Sequence, residues 1–521
     1  MNDSHLSKLQ ELEAALLAHP GVREAAAIFR QDGSRGKPNL VACIVPDENY
    51  ISQALADPEN QRKRLHNRRK TFDLAQLGKQ AGASEPGFNI AGWDSSYTRT
   101  PIPADQMREW VDLTVQEILS FQPRDILEIG CGTGLLLLRI ARGVRRYVGM
   151  DFAPVVLAKL KQQMREIGED WSGVTLLERS AADFEGFGED SFDTVIVNSV
   201  AQYFPSAEYL TKVLEEACRV VKPGGRIFVG DVRNLALLDL YAASVELYQA
   251  PSHMKLAELR QSALRRTEFE EQLVISPAYF LALQRRIPKI GAIETQPKGG
   301  QSDNELTRFR FDAALHIGAS WPEPAALSWL DWVAQPLTLQ AIGELLRDQG
   351  RETLAIKRIA NARVEKDVEA LAAIANSNDE ETVDDLRKRL NSLEPRGIDP
   401  QKLWSLGEQL GYRVHASWMA CRSDGSYEAV FQRLGASEKS ASSMIKWPAP
   451  ELDSDNLERY ANSPGRAVQR QRLPDELLDH CKSRLPTDLC PESVILLDAL
   501  PLTVDDKLDR QALLKVSESC V

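Results

Sequence analysis

One stretch, Asp125–Gly134, constrains the fold of this 521-residue chain more strongly than any other. It reads Asp-Ile-Leu-Glu-Ile-Gly-Cys-Gly-Thr-Gly, and its apolar half predicts a buried strand of a parallel sheet. Gly130, Gly132 and Gly134 then predict a turn in which the backbone can approach a ligand without Cβ clashes. Residues 135–142 predict the start of an amphipathic helix. A glycine turn between a strand and a helix is typical of sites that hold a nucleotide-like cofactor.

The spacing of these glycines narrows the choice of cofactor. A dinucleotide fingerprint needs its third glycine at position 135, where this chain has Leu135. Glu128 lies in the strand two residues before the first glycine, and its charge would repel a phosphate. The ammonium and sulfonium groups of S-adenosylmethionine would be attracted there. The alternative interpretation is a helix-capping glycine loop that binds no ligand.

Composition excludes several classes of function. The net charge of −12 and the pI near 5.3 argue against a nucleic-acid partner, because there is no surplus of basic residues to neutralise phosphates. The seven cysteines include no Cys-x-x-Cys pair, and no histidines cluster at ligand spacing, so neither a disulfide framework nor a metal site is predicted. The polar N-terminus and strand-sized apolar runs predict no signal peptide and no membrane span, so we expect a cytoplasmic location.

Strands and helices alternate along the chain from residue 125 onward. The patterns predict strands at 125–130, 146–150, 174–178, 192–198 and 225–230. Between them they predict helices at 154–167 and 207–221. A long helical stretch at 235–286 precedes two runs, 290–296 and 308–317, that predict a closing hairpin. Such alternation predicts a doubly wound α/β sheet.

The flanks divide into further segments. Residues 1–46 predict a helix and two strands, which are too little to bury a core alone, so their partners must come from elsewhere in the chain. We predict the following organisation: 1–46, a connector at 47–87, the sheet domain at 88–320, a helical and strand extension at 321–435, and a C-terminal segment at 447–516. Within the extension, the patterns predict helices at 326–334, 337–348, 364–377, 380–393 and 401–410 and a hairpin of 412–418 with 427–431. In the last segment they predict a helix at 473–485, a strand at 493–497 and a helix at 509–516.

Ligands of a doubly wound sheet bind beyond the carboxyl ends of its strands. Asp151 follows the second strand, where a carboxylate can accept both ribose hydroxyl hydrogens; alternatively, it caps the helix that starts at Pro154. Asp183 and Phe184 combine an acid with an apolar surface and suit the amino group and ring face of adenine.

Two further strand ends suit a second ligand. Residues 198–204, Asn-Ser-Val-Ala-Gln-Tyr-Phe, place a polar string directly after an apolar strand. Asp231 and Arg233 follow Gly230 at the end of the fifth strand. An acid and a base this close can hold a substrate's amine and carbonyl, or they can pair with each other as a rim salt bridge.

Several longer motifs, in order along the chain, resemble those of methyltransferase domains embedded in nonribosomal peptide synthetases. They are residues 88–97 (Phe-Asn-Ile-Ala-Gly-Trp-Asp-Ser-Ser-Tyr), 198–204, 230–237 and 304–311 (Asn-Glu-Leu-Thr-Arg-Phe-Arg-Phe). The resemblance runs from about residue 86 to 435 and departs at Asp94, where the family usually has asparagine. It implies a class I methyltransferase with a seven-stranded doubly wound sheet, inserted in a small split α+β subdomain. We assign Tyr97 and Phe152 to the S-adenosylmethionine site on the same basis.

The flanks resemble a different family. Residues 12–46 and 447–516 together are similar to the small C-terminal subdomain of a synthetase adenylation domain, split by the insert, and Lys507 matches its catalytic lysine. Asp506 replaces the glycine that usually precedes that lysine. This sequence contains neither the large nucleotide-binding adenylation subdomain nor a carrier-protein serine motif, so we expect no amino-acid activation by this chain alone. We expect either a piece of a synthetase or a free-standing remnant that acts in trans, and the natural-looking ends favour the second.

The resemblance implies N-methylation of an aminoacyl or peptidyl group tethered to a carrier protein, with an adenylation domain supplied in trans as a further partner. An α-amine titrates near about 7.7–8.0, so it needs positioning more than a strong base. The residues expected to orient the substrate and accept the proton are Asn198, Gln202, Tyr203, Asp231 and Arg233, with Glu305 as a further candidate that alternatively faces Arg308 on the surface. Methylation of oxygen or carbon on the same scaffold, or a non-catalytic module that docks an adenylation domain, are the alternatives.

Overall fold

A computed structural model describes residues 3–31, 38–51, 87–318, 327–348, 351–377, 380–434, 445–503, 505 and 507–519. Most of the predicted connector and Asp506 lie outside these ranges. The chain divides into two compact units, of which the smaller comprises 1–66, 268–271 and 463–521 and the larger 67–267 and 272–462. Residues 447–462, which the sequence prediction places in the C-terminal segment, therefore lie in the larger unit.

The strands have the following bounds: β1 Val22–Gln31, β2 Pro38–Pro46, β3 Asp125–Ile129, β4 Arg146–Asp151, β5 Val174–Glu178, β6 Phe192–Asn198, β7 Val221–Arg233, β8 Ile290–Pro297, β9 Arg310–Ile317, β10 Trp329–Asp331, β11 Thr353–Ile359, β12 Tyr412–Ser417, β13 Tyr427–Arg433 and β14 Ser493–Leu496. The α-helices span Asp3–Leu17, Ala104–Ser120, Leu137–Ile140, Pro154–Ile167, Ala207–Val220, Leu238–Gln249, Leu256–Glu268, Ala278–Arg286, Glu305–Phe309, Leu339–Asp348, Glu365–Ala375, Val383–Asn391, Pro400–Leu410, Pro464–Arg484 and Arg510–Ser519. Within the described residues, no helix is long and apolar enough to cross a membrane.

A seven-stranded sheet forms the centre of the larger unit. Its strand order is β5-β4-β3-β6-β7-β9-β8, and β9 runs antiparallel to both of its neighbours, β7 and β8. Each residue of β3 is buried, and its apolar residues Ile126, Leu127 and Ile129 suit a strand covered on both faces. This topology confirms the doubly wound α/β sheet, its closing hairpin and the class I methyltransferase fold.

Sheet register brings the ends of neighbouring strands together. Strands β3, β4, β6 and β7 are parallel, so their carboxyl ends share one edge, and Asn198 is the register partner of Gly230. The ladder between β7 and β9 is interrupted between Val229 and Val232 by a bulge. Bulges re-aim side chains beside active sites, and this one re-aims Asp231.

The extension forms a second sheet in the order β10-β11-β13-β12. The predicted hairpin of β12 and β13 is confirmed, but the predicted helix at 326–334 is wrong, because 329–331 form β10 beside β11. Strand β11 was not predicted at all. A three-residue strand such as β10 exists only because a partner lies next to it, and local sequence does not reveal that partner.

In the smaller unit, β14 pairs in parallel with β2, and β2 pairs with β1, so one three-stranded sheet contains strands from both ends of the chain. Leu9, Leu12 and Leu16 of the first helix share an apolar core with Leu473 and Leu477. The later helix begins at Pro464, earlier than predicted, and continues through Pro474.

Candidate functional site

The loop after β3 has a backbone that glycine adopts more readily than other residues. Gly130, Gly132 and Gly134 have φ of 75°, 51° and 82°, in the left-handed region. A Cβ on Gly130 would lie 2.4 Å from Val200 Cγ2, and a Cβ on Gly134 would lie 2.4 Å from Leu160 Cδ1. A Cβ on Gly132 would meet nothing closer than the Gly130 carbonyl oxygen at 4.0 Å. Gly130 and Gly134 are therefore required for packing, whereas Gly132 leaves space for a ligand.

Glu128, in β3, is a buried acid that pairs with no cationic side chain among the described residues. It is 3% exposed, and the Tyr147 hydroxyl donates a hydrogen bond of 2.8 Å to its Oε2. Burial raises the pKa of Glu128 to about 7; the Tyr147 hydrogen bond opposes this rise, and the charge of Asp151 adds to it. A cation placed nearby would favour the ionised carboxylate. The site thus suits a positively charged ligand.

Asp151, at the end of β4, holds the glycine loop. It accepts hydrogen bonds from the backbone N–H of Gly132 at 3.0 Å and of Ala153 at 2.9 Å. The N-cap of the helix at 154–167 is Ala153, with no side-chain cap, so the interpretation of Asp151 as a helix cap is wrong. Phe152 is half-buried beside it. Asp151 is therefore positioned by the loop that it contacts, at the carboxyl edge of the sheet.

Three other residues assigned to the cofactor have different surroundings. Asp183 is half-buried and accepts from the backbone N–H of Glu185 at 3.1 Å, whereas Phe184 is 4% exposed and packs in the core. The Tyr97 hydroxyl lies 3.0 Å from Ser244 Oγ and accepts from Arg308 at 3.4 Å. Burial raises the pKa of Tyr97 well above its usual range, so its hydroxyl stays protonated.

The ends of β6 and β7 carry two strained residues in contact. Ser199 and Asp231 have φ of 55° and 61°, and Ser199 Oγ donates to Asp231 Oδ2 at 2.5 Å. The Ser199 N–H also donates to the Gly230 carbonyl at 3.1 Å. A non-glycine residue in this region costs about 1–3 kcal/mol and is common at functional sites. The strained pair makes this edge of the sheet a candidate functional site.

Asp231 is fully buried and is held by donors from several parts of the chain. Besides Ser199, Trp110 Nε1 donates to its Oδ1 at 3.2 Å, and Arg310 Nη1 donates to its Oδ2 at 2.6 Å. Burial lowers the pKa of Arg310, but the charges of Asp231 and Glu305 outweigh burial and raise it. Asp231 is thus paired with Arg310, and the alternative interpretation, a rim salt bridge between Asp231 and Arg233, is wrong.

Asn198 has an unused acceptor next to Gly230, the residue that precedes Asp231. Its side chain is buried, and its Oδ1 has no hydrogen-bond partner among the described residues. A Cβ on Gly230 would lie 2.2 Å from that oxygen, so glycine is needed there for the Asn198 side chain to keep its place. A buried acceptor without a donor costs free energy, which a ligand donor would recover.

Glu305 begins a short helix instead of lying on a surface loop. It is 5% exposed and accepts from Ser96 N–H at 2.8 Å and Ser96 Oγ at 2.9 Å. Its Oε1 lies 3.9 Å from Arg310 Nη2. Arg308 pairs instead with Asp367, so the interpretation of Glu305 as a surface acid facing Arg308 is wrong.

The other predicted acceptor-side residues are less closely associated with Asp231. Tyr203 is 48% exposed. Arg233 donates to Gln272 Oε1 at 3.1 Å, and its guanidinium lies 4.6 Å from the Tyr241 ring centroid. Gln202 is buried, and its backbone carbonyl accepts from Leu273.

Sequence reasoning did not single out Trp110, Ser199 and Arg310. Ser199 and Arg310 lie inside motifs that the resemblance had already marked, so those motifs contained the signal. Trp110 appears in the sequence as one apolar position of an amphipathic helix, and only the fold turns its indole N–H toward Asp231.

The two halves of the site meet at Val200, whose side chain occupies the space that a Cβ on Gly130 would need. A buried acid, an open glycine and Asp151 lie on one side, and a buried acceptor with a paired carboxylate lies on the other. The two carboxylates on the first side fit S-adenosylmethionine, since Glu128 could face its positive charge and Asp151 could accept from its ribose hydroxyls. The cofactor is therefore S-adenosylmethionine.

Comparisons with known proteins also indicate a methyltransferase. Residues 127–229 match the methyltransferase domain family. Chondramide synthase cmdD of Chondromyces crocatus is 39% identical over 97% of this chain and 13% of its own length. Cyclosporin synthetase simA of Tolypocladium inflatum is 28% identical over 98% of this chain and 3% of its own length. Nonribosomal peptide synthetase agiA of Aspergillus flavus is 28% identical over 97% of this chain and 7% of its own length. The chain therefore spans a small fraction of the length of these relatives.

Proposed function

We propose that this chain, an S-adenosylmethionine-dependent methyltransferase similar to segments of nonribosomal peptide synthetases, methylates the amine of an aminoacyl or peptidyl group tethered to a carrier protein. The observation that carries the proposal is the unpartnered Asn198 Oδ1 at the end of β6, whose register partner is Gly230, the residue before Asp231. A primary amine brings two N–H donors, and its lone pair must stay free to attack. Two acceptors on one side of the nitrogen meet both requirements.

Asn198 and Asp231 supply these acceptors in the proposed complex. A carboxylate offers about four lone-pair positions, and the contacts from Trp110, Ser199 and Arg310 leave capacity for one more donor. The Asn198 Oδ1 takes the second N–H. Because a hydroxyl brings only one hydrogen, the pair of acceptors favours an amine over an alcohol.

Proton transfer makes modest demands on this site. When bound, the cofactor supplies a methyl group activated by a sulfonium. An α-amine has a reference pKa of about 7.7–8.0, so a substantial fraction is neutral near pH 7.5 without a dedicated base. Asp231 faces the nitrogen as it becomes cationic and accepts its proton, while Arg310 limits the charge that the buried site must carry. Positioning is then the main contribution of the protein.

Glu305 and Arg310 connect the acceptor side to residues 88–97. Ser95 and Ser96 donate to Glu305, which in turn lies beside Arg310. Thr133 Oγ1 of the glycine loop donates to the Asn89 carbonyl at 2.8 Å. The same segment therefore contacts the cofactor loop and the acceptor side, and it can hold the two at a constant separation.

The carrier protein follows from the similarity to synthetases, whose intermediates are thioesters. The small unit resembles part of an adenylation domain, and we propose that it binds an adenylation domain supplied in trans. Lys507 is exposed in the small unit. If that unit is only a scaffold here, Lys507→Ala should leave methyl transfer within a few-fold of wild type.

The test presents the protein with labelled cofactor and either aminoacyl or hydroxyacyl groups loaded on the same carrier protein. Fragment mass spectrometry then locates the methyl group. We expect transfer to nitrogen, a fall in kcat/KM of about 10–100-fold for Asn198→Ala from the lost hydrogen bond, and unchanged cofactor affinity. Lys507→Ala is the matched control.

Transfer to the hydroxyl analogue without transfer to any amine would overturn N-methylation in favour of an O-methyltransferase. Methyl found on carbon would favour a C-methyltransferase. Cofactor binding without transfer to any loaded carrier, together with binding to an adenylation domain, would favour the docking module.

A further inference from the structure

A buried ion pair contacts the backbone of Asp231. Its two residues have no role in the motifs described above. Lys298 and Asp312 are 3% and 5% exposed, and Lys298 Nζ lies 3.0 and 3.1 Å from the two Asp312 oxygens. Lys298 also donates to Thr114 Oγ1 at 3.2 Å. Lys298 lies just beyond β8 and Asp312 within β9, so the pair spans the closing hairpin of the sheet.

Asp312 contacts the backbone of Asp231. Its Oδ1 accepts the Asp231 N–H at 2.7 Å, at the bulge where β7 and β9 lose their regular ladder. A side-chain oxygen thus replaces the carbonyl that a regular ladder would supply. The hydrogen bond satisfies the N–H of a residue whose φ of 61° is unfavourable for a non-glycine side chain.

Lys298 reaches the side chain of Asp231 by a second route. Its Nζ lies 5.5 Å from the Trp110 ring centroid, within the range of a cation–π contact. The Trp110 indole N–H donates to Asp231 Oδ1. Asp231, Asp312, Lys298 and Trp110 therefore form a closed ring of contacts that fixes both the backbone and the carboxylate of Asp231.

The extension holds the loop that carries Lys298. Arg363 donates to the carbonyls of Lys298 at 2.6 Å and Gly300 at 2.7 Å, and it pairs with Asp399 at 2.8 Å. The backbone of Lys298 is thus anchored from outside the seven-stranded sheet. This anchoring limits how far the loop can adjust if the ring of contacts is broken.

Stability alone is a weak reason for such a pair. Burying two charges costs desolvation free energy, and well-packed apolar residues often serve as well or better. Glu117 is a further acid close to this pair, and burial, together with the charge of Asp312, raises its pKa to about 7. A pair that is maintained at this cost and touches the strained Asp231 has a geometric task.

We propose that Lys298 and Asp312 are positioning residues, which hold Asp231 in its left-handed conformation with its carboxylate toward the methyl acceptor. The proposal rests on the proposed function only in that Asp231 faces the acceptor. The essential contact is the acceptor oxygen of Asp312, and Lys298 neutralises the charge that this oxygen brings.

Two double variants with the same charge isolate that contact. Lys298→Met with Asp312→Asn removes both charges but keeps an oxygen that can accept the Asp231 N–H. Lys298→Met with Asp312→Leu removes both charges and the oxygen. We expect kcat of the Leu variant to be about 10–100-fold below that of the Asn variant, the scale of a small misplacement of a reacting group. The cofactor dissociation constant should be the same in both.

Asp125→Asn is the control for loss of a buried carboxylate. Asp125 lies at the amino end of β3, away from the carboxyl edge, and pairs with Arg145 and Lys222. It should lower the melting temperature but leave kcat per cofactor-binding site unchanged. Equal kcat in the two double variants would overturn the proposal. A fall in kcat that is matched by an equal loss of cofactor affinity would also overturn it.

Failure of the proposed function is visible separately in the wild-type protein, which would then transfer no methyl to an amine. The comparison of the double variants can be made on whichever acceptor the wild-type protein does methylate. If it methylates none, protection of the Asp231 amide from hydrogen exchange supplies the readout. We expect the Leu variant to lose that protection and the Asn variant to keep it, and equal protection would contradict the proposal.

Discussion

The glycine loop and the acceptor side lie next to each other but are built in opposite ways. The loop uses one contiguous stretch, Glu128–Gly134, plus a single carboxylate from the next strand end, Asp151. The acceptor side assembles Trp110, Asn198, Asp231 and others from several separate segments, and Trp110 and Asp231 are 121 residues apart. A cofactor shared by many enzymes can be bound by a local motif, whereas a particular methyl acceptor needs groups whose arrangement depends on the whole fold.

The two regions also treat buried acids differently. Glu128 accepts a hydrogen bond from a hydroxyl and has a raised pKa, so its carboxyl can become ionised when a cationic ligand binds. Asp231 is paired with Arg310 inside the protein. The cofactor side is therefore expected to respond to pH and ligand charge, and the acceptor side to changes in its protein partners.

The largest effect is expected from Arg310→Met. It would leave the fully buried Asp231 carboxylate without its counter-charge, a loss of about 3–5 kcal/mol in the free energy of unfolding. Chemical denaturation measures this loss. Adding Asp231→Asn should recover much of the stability but not methyl transfer.

Arg145→Met is the matched control for that variant. Arg145 is 73% exposed and pairs with Asp125, which keeps Lys222 as a partner. We expect a much smaller cost, because Arg145 is largely solvated and Asp125 keeps its other cation. Similar losses for the two arginine variants would contradict the distinction between the regions.

A smaller effect should separate the roles of two glycines. Gly134→Ala places a Cβ against Leu160 and should lower stability by about 1–3 kcal/mol. Gly132→Ala meets no close protein atom, so it should cost only the backbone strain of about 1–2 kcal/mol while weakening cofactor binding by about tenfold or more. Thermal denaturation and calorimetric titration measure the two quantities. If Gly132→Ala binds cofactor normally, the open side of the loop is not the cofactor side.

The smallest effect concerns pH. The pKa of Glu128 is raised to about 7, so this carboxyl is neutral below that pH and ionised above it. A cationic cofactor favours the ionised form, so its affinity should rise several-fold between about pH 6 and 7.5, before the cofactor's own α-amine titrates near about 7.7–8.0. Equilibrium dialysis across this range measures the rise.

Two variants check the assignment of that pH dependence. Glu128→Gln should flatten it, because no group remains to ionise. Tyr147→Phe removes a hydrogen bond that lowers the Glu128 pKa, so it should move the rise to higher pH. An unchanged profile in Glu128→Gln would assign the titration to another group.

The predictions from sequence succeeded where local pattern and long-range structure agree. Strand β3 and its glycine loop have a sequence that is compatible with few other structures, and the alternation that follows fits a doubly wound sheet. The helix expected at 326–334 failed because β10 depends on its pairing with β11. The alternative of a salt bridge between Asp231 and Arg233 failed because the bulge in β7 turns Asp231 toward Arg310 on the neighbouring strand.

The sequence by itself determined the order of strands and helices, the glycine loop with its buried acid, and the presence of polar groups after the apolar strands. These features depend on residues close together in the chain, where apolar periodicity and the backbone freedom of glycine act directly. The tertiary structure alone decided that Trp110, Ser199 and Arg310 surround Asp231, that Asn198 keeps an unused acceptor, and that Lys298 and Asp312 lie behind them. Strand register and a bulge bring these residues together, and both result from pairing between segments that are remote in sequence.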